Sequence, residues 1–109
     1  MSEVAKLERQ KEDTKKAIEV RDSILRLVEN KDYKFVVDQL FCTEECARYV
    51  HTSGNPNLDP ASQKDALNIA QAAGHFRRFI SAHIQMGNAA ENSMSDLEDA
   101  LVEARAEEA

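Results

Sequence analysis

The second half of the chain carries its longest regular pattern of apolar positions. Successive members are separated alternately by four and three residues. They are Ile69, Ala73, Phe76, Ile80, His83, Gly87, Ala90, Met94, Leu97, Leu101 and Ala104. This spacing places every member on one side of an α-helix, as in the seam of a heptad repeat. We therefore predict a long C-terminal helix whose seam faces another helix.

The first 29 residues predict another helix, with two dissimilar halves. Ser2 is suited to cap its start. From Glu8 to Lys16 there is no apolar residue, whereas apolar stripes begin at Ala17 and continue to Val28. The second half should therefore be buried, and the first half should be exposed or packed through few apolar contacts.

A second helix is predicted from about residue 33 to 52, after a short break. Asn30 is suited to the left-handed position that ends a helix, and Asp32 can cap the next one. One face of this helix consists of Val36, Leu40, Ala47 and Val50, with Tyr33, Val37 and Phe41 beside it. As the most apolar segment, it should form the centre of the core.

Asp59 followed by Pro60 is a strong signal for the start of the third helix. Gly87-Asn88 resembles a helix end, which would leave a fourth helix at about residues 89–106. The heptad phase continues through Gly87, however, which favours one helix, with a bend or a break at Gly87-Asn88 as the alternative. The predicted fold is all-α: an up-down-up bundle of three helices with a very long C-terminal helix.

The predicted helix lengths suggest an interface between chains. Helices one and two are too short to cover the whole third helix, so its last part should overhang. An uncovered apolar seam favours a homo-oligomer. The predicted oligomer or partner interface is His83, Gly87, Ala90, Met94, Leu97 and Leu101. If the chain folds back at Gly87 instead, the seam is filled internally in a four-helix bundle.

With 109 residues, the chain should form a single helical domain at residues 1–109, with a core at about 17–87. The formal net charge is −6. The acidic excess lies in a predicted helical extension at residues 88–109, where only Arg105 is basic. Repulsion from phosphates disfavours direct nucleic-acid binding. An acidic helix can also imitate a phosphate ladder, but a solvated helix face is the simpler interpretation.

The chain has no apolar run of about 20 residues that could cross a membrane. Its N-terminal residues lack the apolar core of a signal peptide. We therefore predict no membrane association and no secretion. The two cysteines then suggest a reducing compartment.

Cys42, Cys46 and His51 are the residues that most resemble metal ligands. The two cysteines lie within one apolar helix and not in a knuckle turn, so core packing is the favoured interpretation. His83, on the seam, is interpreted as a neutral histidine at an interface, with a pH-sensitive or metal-bridging layer as the alternative. The sequence predicts no metal site and no cofactor.

Lys64, His75, Arg77 and Arg78 are the cationic residues concentrated on the third helix. Ordinary surface ion pairing is the simpler interpretation. Guanidinium groups also bind phosphates and carboxylates in a bidentate manner, so these four residues are the candidates for contact with an anion or a partner.

No catalytic residues can be assigned. The chain has no glycine-rich phosphate loop, no nucleophile elbow and no recognisable pair of spaced carboxylates. We therefore predict that the protein is not an enzyme.

Scattered positions between about residues 20 and 105 carry a resemblance. They include Asp32–Val37, Glu44–Val50, the loop Asn55–Leu58, Ala73–Ile80, and Gly87 with Ala90 and Glu91. The chain resembles small all-helical proteins encoded by tailed bacteriophages. The resemblance implies a virus-encoded protein without catalytic residues, located in the host cytoplasm or the virion. It draws attention to Arg77 and Gly87 but assigns neither a role.

Together these observations predict a non-enzymatic, phage-type structural or assembly protein that acts through helix-mediated oligomerisation. The alternative is a small phage-encoded inhibitor of a host factor. Such an inhibitor would bind a host protein or sequester an anionic or nucleotide signal.

Overall fold

The computed structural model describes residues 2–109, which form helices and no strands. The helices are α1 (Glu3–Glu29), α2 (Lys31–Tyr33), the π-helical segment π1 (Lys34–Glu45), α3 (Cys46–Ser53) and α4 (Pro60–Glu108). Because α2, π1 and α3 follow one another without a break, we call residues 31–53 the middle helix. The predicted all-α class, with three helices and a long C-terminal one, is confirmed.

Two predicted helix starts are confirmed by their capping bonds. The amide of Ala5 donates to Ser2 Oγ at 3.1 Å at the start of α1. The amide of Ser62 donates to Asp59 Oδ1 at 3.1 Å at the start of α4. Hydrogen bonds from Ser62 lower the pKa of Asp59, because they stabilise its carboxylate. Both side chains satisfy amides that have no partner within the helix.

The predicted cap between α1 and the middle helix was wrong. Asn30 has an extended backbone (φ −66°, ψ 131°) and not a left-handed one. Its side-chain oxygen accepts hydrogen bonds from the amides of Asp32 and Tyr33, at 2.9 and 3.0 Å. Asn30 therefore caps the next helix itself, and Asp32 lies within its first turn.

Helix α4 continues through Gly87 without interruption. No glycine of the described chain has a positive φ, so Gly87 does not adopt the conformation of a helix end. The prediction of one helix is confirmed, and the alternative of a separate fourth helix is excluded for this structure.

The chain divides into two compact units. The hairpin unit consists of the chain up to Leu25 together with Ala82–Ala109, and the middle-helix unit is Arg26–Ser81. The single domain with a core at 17–87 stays a prediction. The two units are described separately below.

In the hairpin unit, α1 and the second half of α4 pair in antiparallel directions. Arg105 Nη2 lies 3.3 Å from Glu8 Oε1, and Arg21 Nη1 lies 2.7 Å from Glu91 Oε2. Leu101 is only 1% exposed, so the expectation that this end of the seam overhangs was wrong. The polar half of α1 runs beside this end of α4, where Gln10, Asp13 and Thr14 line a groove with Leu97 and Ala100.

In the middle-helix unit, the middle helix packs on the first half of α4. The rings of Tyr33 and Phe76 lie 6.5 Å apart between centroids. The thiol of Cys46 donates to the carbonyl of Ala70 at 3.4 Å. The buried residues of α4 in this unit are small: Ala66, Ala70 and Ala73. Alanines allow the helices to approach closely but bury little apolar area each.

The inward face of the middle helix follows the wide π turn. It includes the buried Tyr33 and Cys42 and the half-buried Val37 and Cys46, at intervals of four, five and four residues. The predicted core face faces outward instead. Val36 and Val50 are each 51% exposed and Leu40 is 39% exposed. The prediction assumed the α-helical period, which does not hold between Lys34 and Glu45.

Candidate functional site

The outer face of π1 carries a cluster of large apolar side chains. Phe35 is 59% exposed, Val36 is 51% exposed and Leu40 is 39% exposed. We call Phe35, Val36 and Leu40 the π1 apolar cluster. Burying such side chains would contribute about 1.5–3 kcal/mol each relative to leaving them in water, so their joint exposure is costly.

The π-helical geometry assembles this cluster. Hydrogen bonds from each amide to the fifth residue before it make residues i and i+5 neighbours. Two side-chain hydrogen bonds join residues that are five apart and show this directly. Thr43 Oγ1 donates to the carbonyl of Asp38 at 2.9 Å, and Gln39 Nε2 donates to Glu44 Oε1 at 3.3 Å. Phe35 and Leu40 are related in the same way, so they lie next to each other.

The exposure of large apolar side chains is concentrated in the middle-helix unit. Its exposed members are Leu27, Phe35, Val36, Leu40, Val50, Leu67 and Phe79, whereas the hairpin unit exposes Leu25, Met86 and Val102. Scattered apolar residues are normal on protein surfaces. A contiguous group of them is typical of an interaction surface, and within this unit the π1 apolar cluster is such a group.

A buried arginine organises the hairpin unit. Arg21 is 7% exposed and reaches from α1 across α4. Its Nη1 donates to Glu91 Oε2 at 2.7 Å, to Asn88 Oδ1 at 3.0 Å and to the carbonyl of Gly87 at 3.4 Å. Its Nε and Nη2 donate to Asp22 Oδ1 at 3.1 and 2.9 Å. These bonds satisfy the guanidinium, which would otherwise be costly to bury.

The carboxylates beside Arg21 hold it in the charged form. The hydrogen bond to Glu91, followed by that to Asp22, raises the pKa of the Arg21 side chain above its usual value. The resulting layer is cationic at its centre and anionic at its edge. Polar layers of this kind define the register of two helices more than they increase stability.

Gly87 explains how Arg21 fits between the helices. A Cβ atom on Gly87 would lie 2.1 Å from the Cβ of Arg21 and 2.8 Å from its Cγ and Cδ. Real carbon atoms do not approach so closely, so only glycine allows α1 to pass α4 here. The role of Gly87 is therefore helix packing.

The residues predicted as an oligomer interface lie in the hairpin unit. Gly87 and Leu101 are buried, and His83, Ala90, Met94 and Leu97 are half-buried. They face α1 of the same chain: Leu97 lines a groove with Leu7 and Thr14, and His83 lines one with Ala17 and Val20. That they also contact a second chain stays a prediction.

The predicted cationic residues are exposed on α4 in the middle-helix unit. Arg78 Nη2 lies 2.8 Å from His75 Nδ1, and Arg77 Nη2 donates to Thr43 Oγ1 at 3.3 Å. Lys64 lies about 16 Å along the helix axis from His75, at 1.5 Å per residue. The structure therefore brings His75 and Arg78 together but does not bring Lys64 to them.

Cys42 and Cys46 are free thiols, with Cys42 buried and Cys46 half-buried. Their inward positions agree with the predicted packing role. Across the described residues, no three histidine, cysteine or acidic side chains are grouped so that they could hold a metal ion. In residues 2–109, no helix combines the length and the apolar character that crossing a membrane requires.

No protein-family model matches the chain, and neither a curated protein nor a solved structure matches it.

Sequence reasoning missed Arg21, although a signal for it exists. In the stripe through Ile18, Leu25 and Val28 on α1, the alternation of three and four residues includes Arg21. Extended towards the N-terminus, the same alternation passes through Thr14, Lys11, Leu7 and Val4. These four residues and Arg21 are all buried or half-buried. Because three of these residues are polar, a search for apolar positions alone does not find the seam.

Proposed function

We propose that this protein is a non-enzymatic, phage-type structural or assembly protein that acts through helix-mediated oligomerisation. The observation that carries the proposal is the surface of the middle-helix unit, which exposes seven large apolar side chains and buries Ala66, Ala70 and Ala73. A unit of this composition gains stability when another helical surface covers it. The up-down-up bundle predicted from the sequence is part of the same proposal.

The hairpin unit supports the proposal in a different way. Its helices are registered by the Arg21 layer and by the contact at Gly87. A helical hairpin whose two helices are held in one register is a stiff element of defined length. Such an element suits a component of an assembly. The phage origin rests on the sequence resemblance alone.

Sedimentation equilibrium of the full chain between about 1 and 200 μM tests the oligomerisation on which this function depends. We expect a concentration-dependent rise in mass above that of the 12.2 kDa chain. A strict monomer over this whole range would contradict the proposed function. Mass spectrometry of purified virions then tests the structural role, because an assembly component incorporated in particles should be detected there.

The alternative function is inhibition of a host factor. The exposed Arg77, with the adjacent pair of Arg78 and His75, is the feature that favours it. Affinity purification from expressing cells distinguishes the two functions. A host protein or nucleotide that copurifies, and that is lost in Arg77→Glu, would favour the inhibitor. If only other copies of the same chain are recovered, the result favours the assembly protein.

A further inference from the structure

We propose that the outer face of π1 is a self-complementary interface on which a second copy of the chain binds in the antiparallel direction. The two-fold axis would cross the outer face midway between Phe35 and Leu40, at the level along the helix of the Val37–Asp38 peptide bond. The inference rests on the proposed function, because it names the surface through which oligomerisation occurs. In such an interface, each contact between residues i and j occurs twice.

The apolar contacts of this face match under the two-fold operation. Phe35 and Leu40 are equidistant from the proposed axis, so Phe35 of each chain meets Leu40 of the other. Both residues are exposed, at 59% and 39%. Four large apolar side chains would thus leave water at the centre of the interface. Aromatic and aliphatic residues at an interface centre contribute most of the binding energy.

The charges at the edges of the face match under the same operation. Lys31 and Glu44 are also equidistant from the axis, and both are exposed. Antiparallel pairing therefore places each lysine opposite a glutamate of the other copy. A parallel pairing in register would instead place like charges together. This charge complementarity favours a second copy as the occupant and the antiparallel direction over the parallel one.

The flanks of this face are compatible with the pairing. Val36 and Gln39 lie on opposite sides of the row formed by Phe35 and Leu40, and the side-chain amide of Gln39 donates to Glu44 Oε1. Further along the face, Arg48 is paired with Glu45, so it leaves no uncompensated cation there.

The π-helical geometry is necessary for this surface. In an α-helix, residues five apart are separated by about 140° around the axis, so Phe35 and Leu40 would not share a face. In π1 they are neighbours. The π-helix is rare, and where single π turns interrupt α-helices they often lie at functional sites, which agrees with a role in binding for π1.

The first test places a charge in the apolar centre. Leu40→Glu puts two carboxylates into the interface, since each chain contributes one. We expect its self-association, measured by sedimentation equilibrium, to be at least about 100-fold weaker than that of the natural chain. Val102→Glu is the matched control, because Val102 is 65% exposed in the hairpin unit. We expect the control to associate normally.

The second test uses the charged pair. Lys31→Glu and Glu44→Lys should each weaken self-association by about tenfold, because two attractive pairs become repulsive. An equimolar mixture of the two variants should restore association, since each heterodimer regains two opposite-charge pairs. The double variant should associate normally for the same reason. Circular dichroism verifies that each variant is folded.

The outcomes separate this inference from the proposed function. A natural chain that is strictly monomeric contradicts both. A natural chain that oligomerises, with Leu40→Glu unaffected, overturns only the inference and shows that another surface is used. Single charge variants that weaken association without rescue in the mixture also overturn it, because they contradict the antiparallel pairing.

Discussion

In the hairpin unit the least exposed large side chain is Leu101, whereas the buried positions of α4 in the middle-helix unit are alanines. The hairpin unit covers its apolar seam with a helix that is largely polar, and a buried arginine sets the register. The middle-helix unit has more large apolar residues but leaves seven of them exposed, against three in the hairpin unit. Apolar content alone therefore does not determine how much apolar surface a unit exposes; the placement of large and small residues does.

Leu101→Ala should have the largest effect on the stability of the hairpin unit. Removing most of a side chain that is 1% exposed leaves a cavity between α1 and α4. We expect the free energy of unfolding to fall by about 2–5 kcal/mol in urea denaturation. The neighbouring Val102→Ala, at a position that is 65% exposed, should change it by no more than about 0.5 kcal/mol. Equal effects at the two positions would contradict the antiparallel packing.

The same substitution at two glycines of α4 should have opposite effects. Gly87→Ala forces α1 and α4 apart at Arg21 and should destabilise the protein by about 1–3 kcal/mol. Gly74→Ala meets only the end of the Arg78 side chain at 3.7 Å, an ordinary contact. It should stabilise the helix by about 0.5–1 kcal/mol. Thermal unfolding of both variants measures the difference, and stabilisation by Gly87→Ala would exclude the close approach.

The smallest expected effect is on how the stability of the protein depends on pH, through Tyr33 in the middle-helix unit. Burial, followed by the charges of Asp38 and Cys42, raises the pKa of Tyr33 above its usual value of about 10. The folded state therefore favours the neutral phenol. This contribution to stability is complete below about pH 10 and is lost as pH rises through the higher pKa of the folded state.

Tyr33→Phe should flatten the decline in stability under alkaline conditions, as followed by urea denaturation at several pH values. Tyr49→Phe, on α3, is the matched control and should leave the decline in place. If the natural chain and Tyr33→Phe decline equally, the Tyr33 phenol does not contribute to the alkaline loss of stability.

The sequence predicted α4 well, because heptad spacing reports directly on which side of a helix is buried. The pattern continued through Gly87, and so does the helix. The reason for glycine at that position could not be predicted, since it depends on Arg21, which lies 66 residues earlier in the chain. A search for periodic apolar residues does not detect a buried charged side chain.

The outer face of the middle helix could not be predicted for a different reason. The period of 3.6 residues grouped Val36, Leu40, Ala47 and Val50, but π1 turns by a smaller angle per residue. Over its 12 residues the lag reaches roughly half a turn. Phe35 and Leu40 thereby become neighbours, although their spacing of five suggests opposite sides. No local sequence signal distinguished π from α hydrogen bonding.

Hydrogen exchange at increasing protein concentration tests most directly the claim that the two units differ in self-sufficiency. Between about 1 and 200 μM, we predict that amides in Lys34–Glu45 become more slowly exchanging, because the proposed second copy would cover the π1 apolar cluster and stabilise π1. Amides around Leu101 should exchange at the same rate throughout, because α1 already covers them within each chain. Slowing confined to residues 88–104, with none in Lys34–Glu45, would contradict the account.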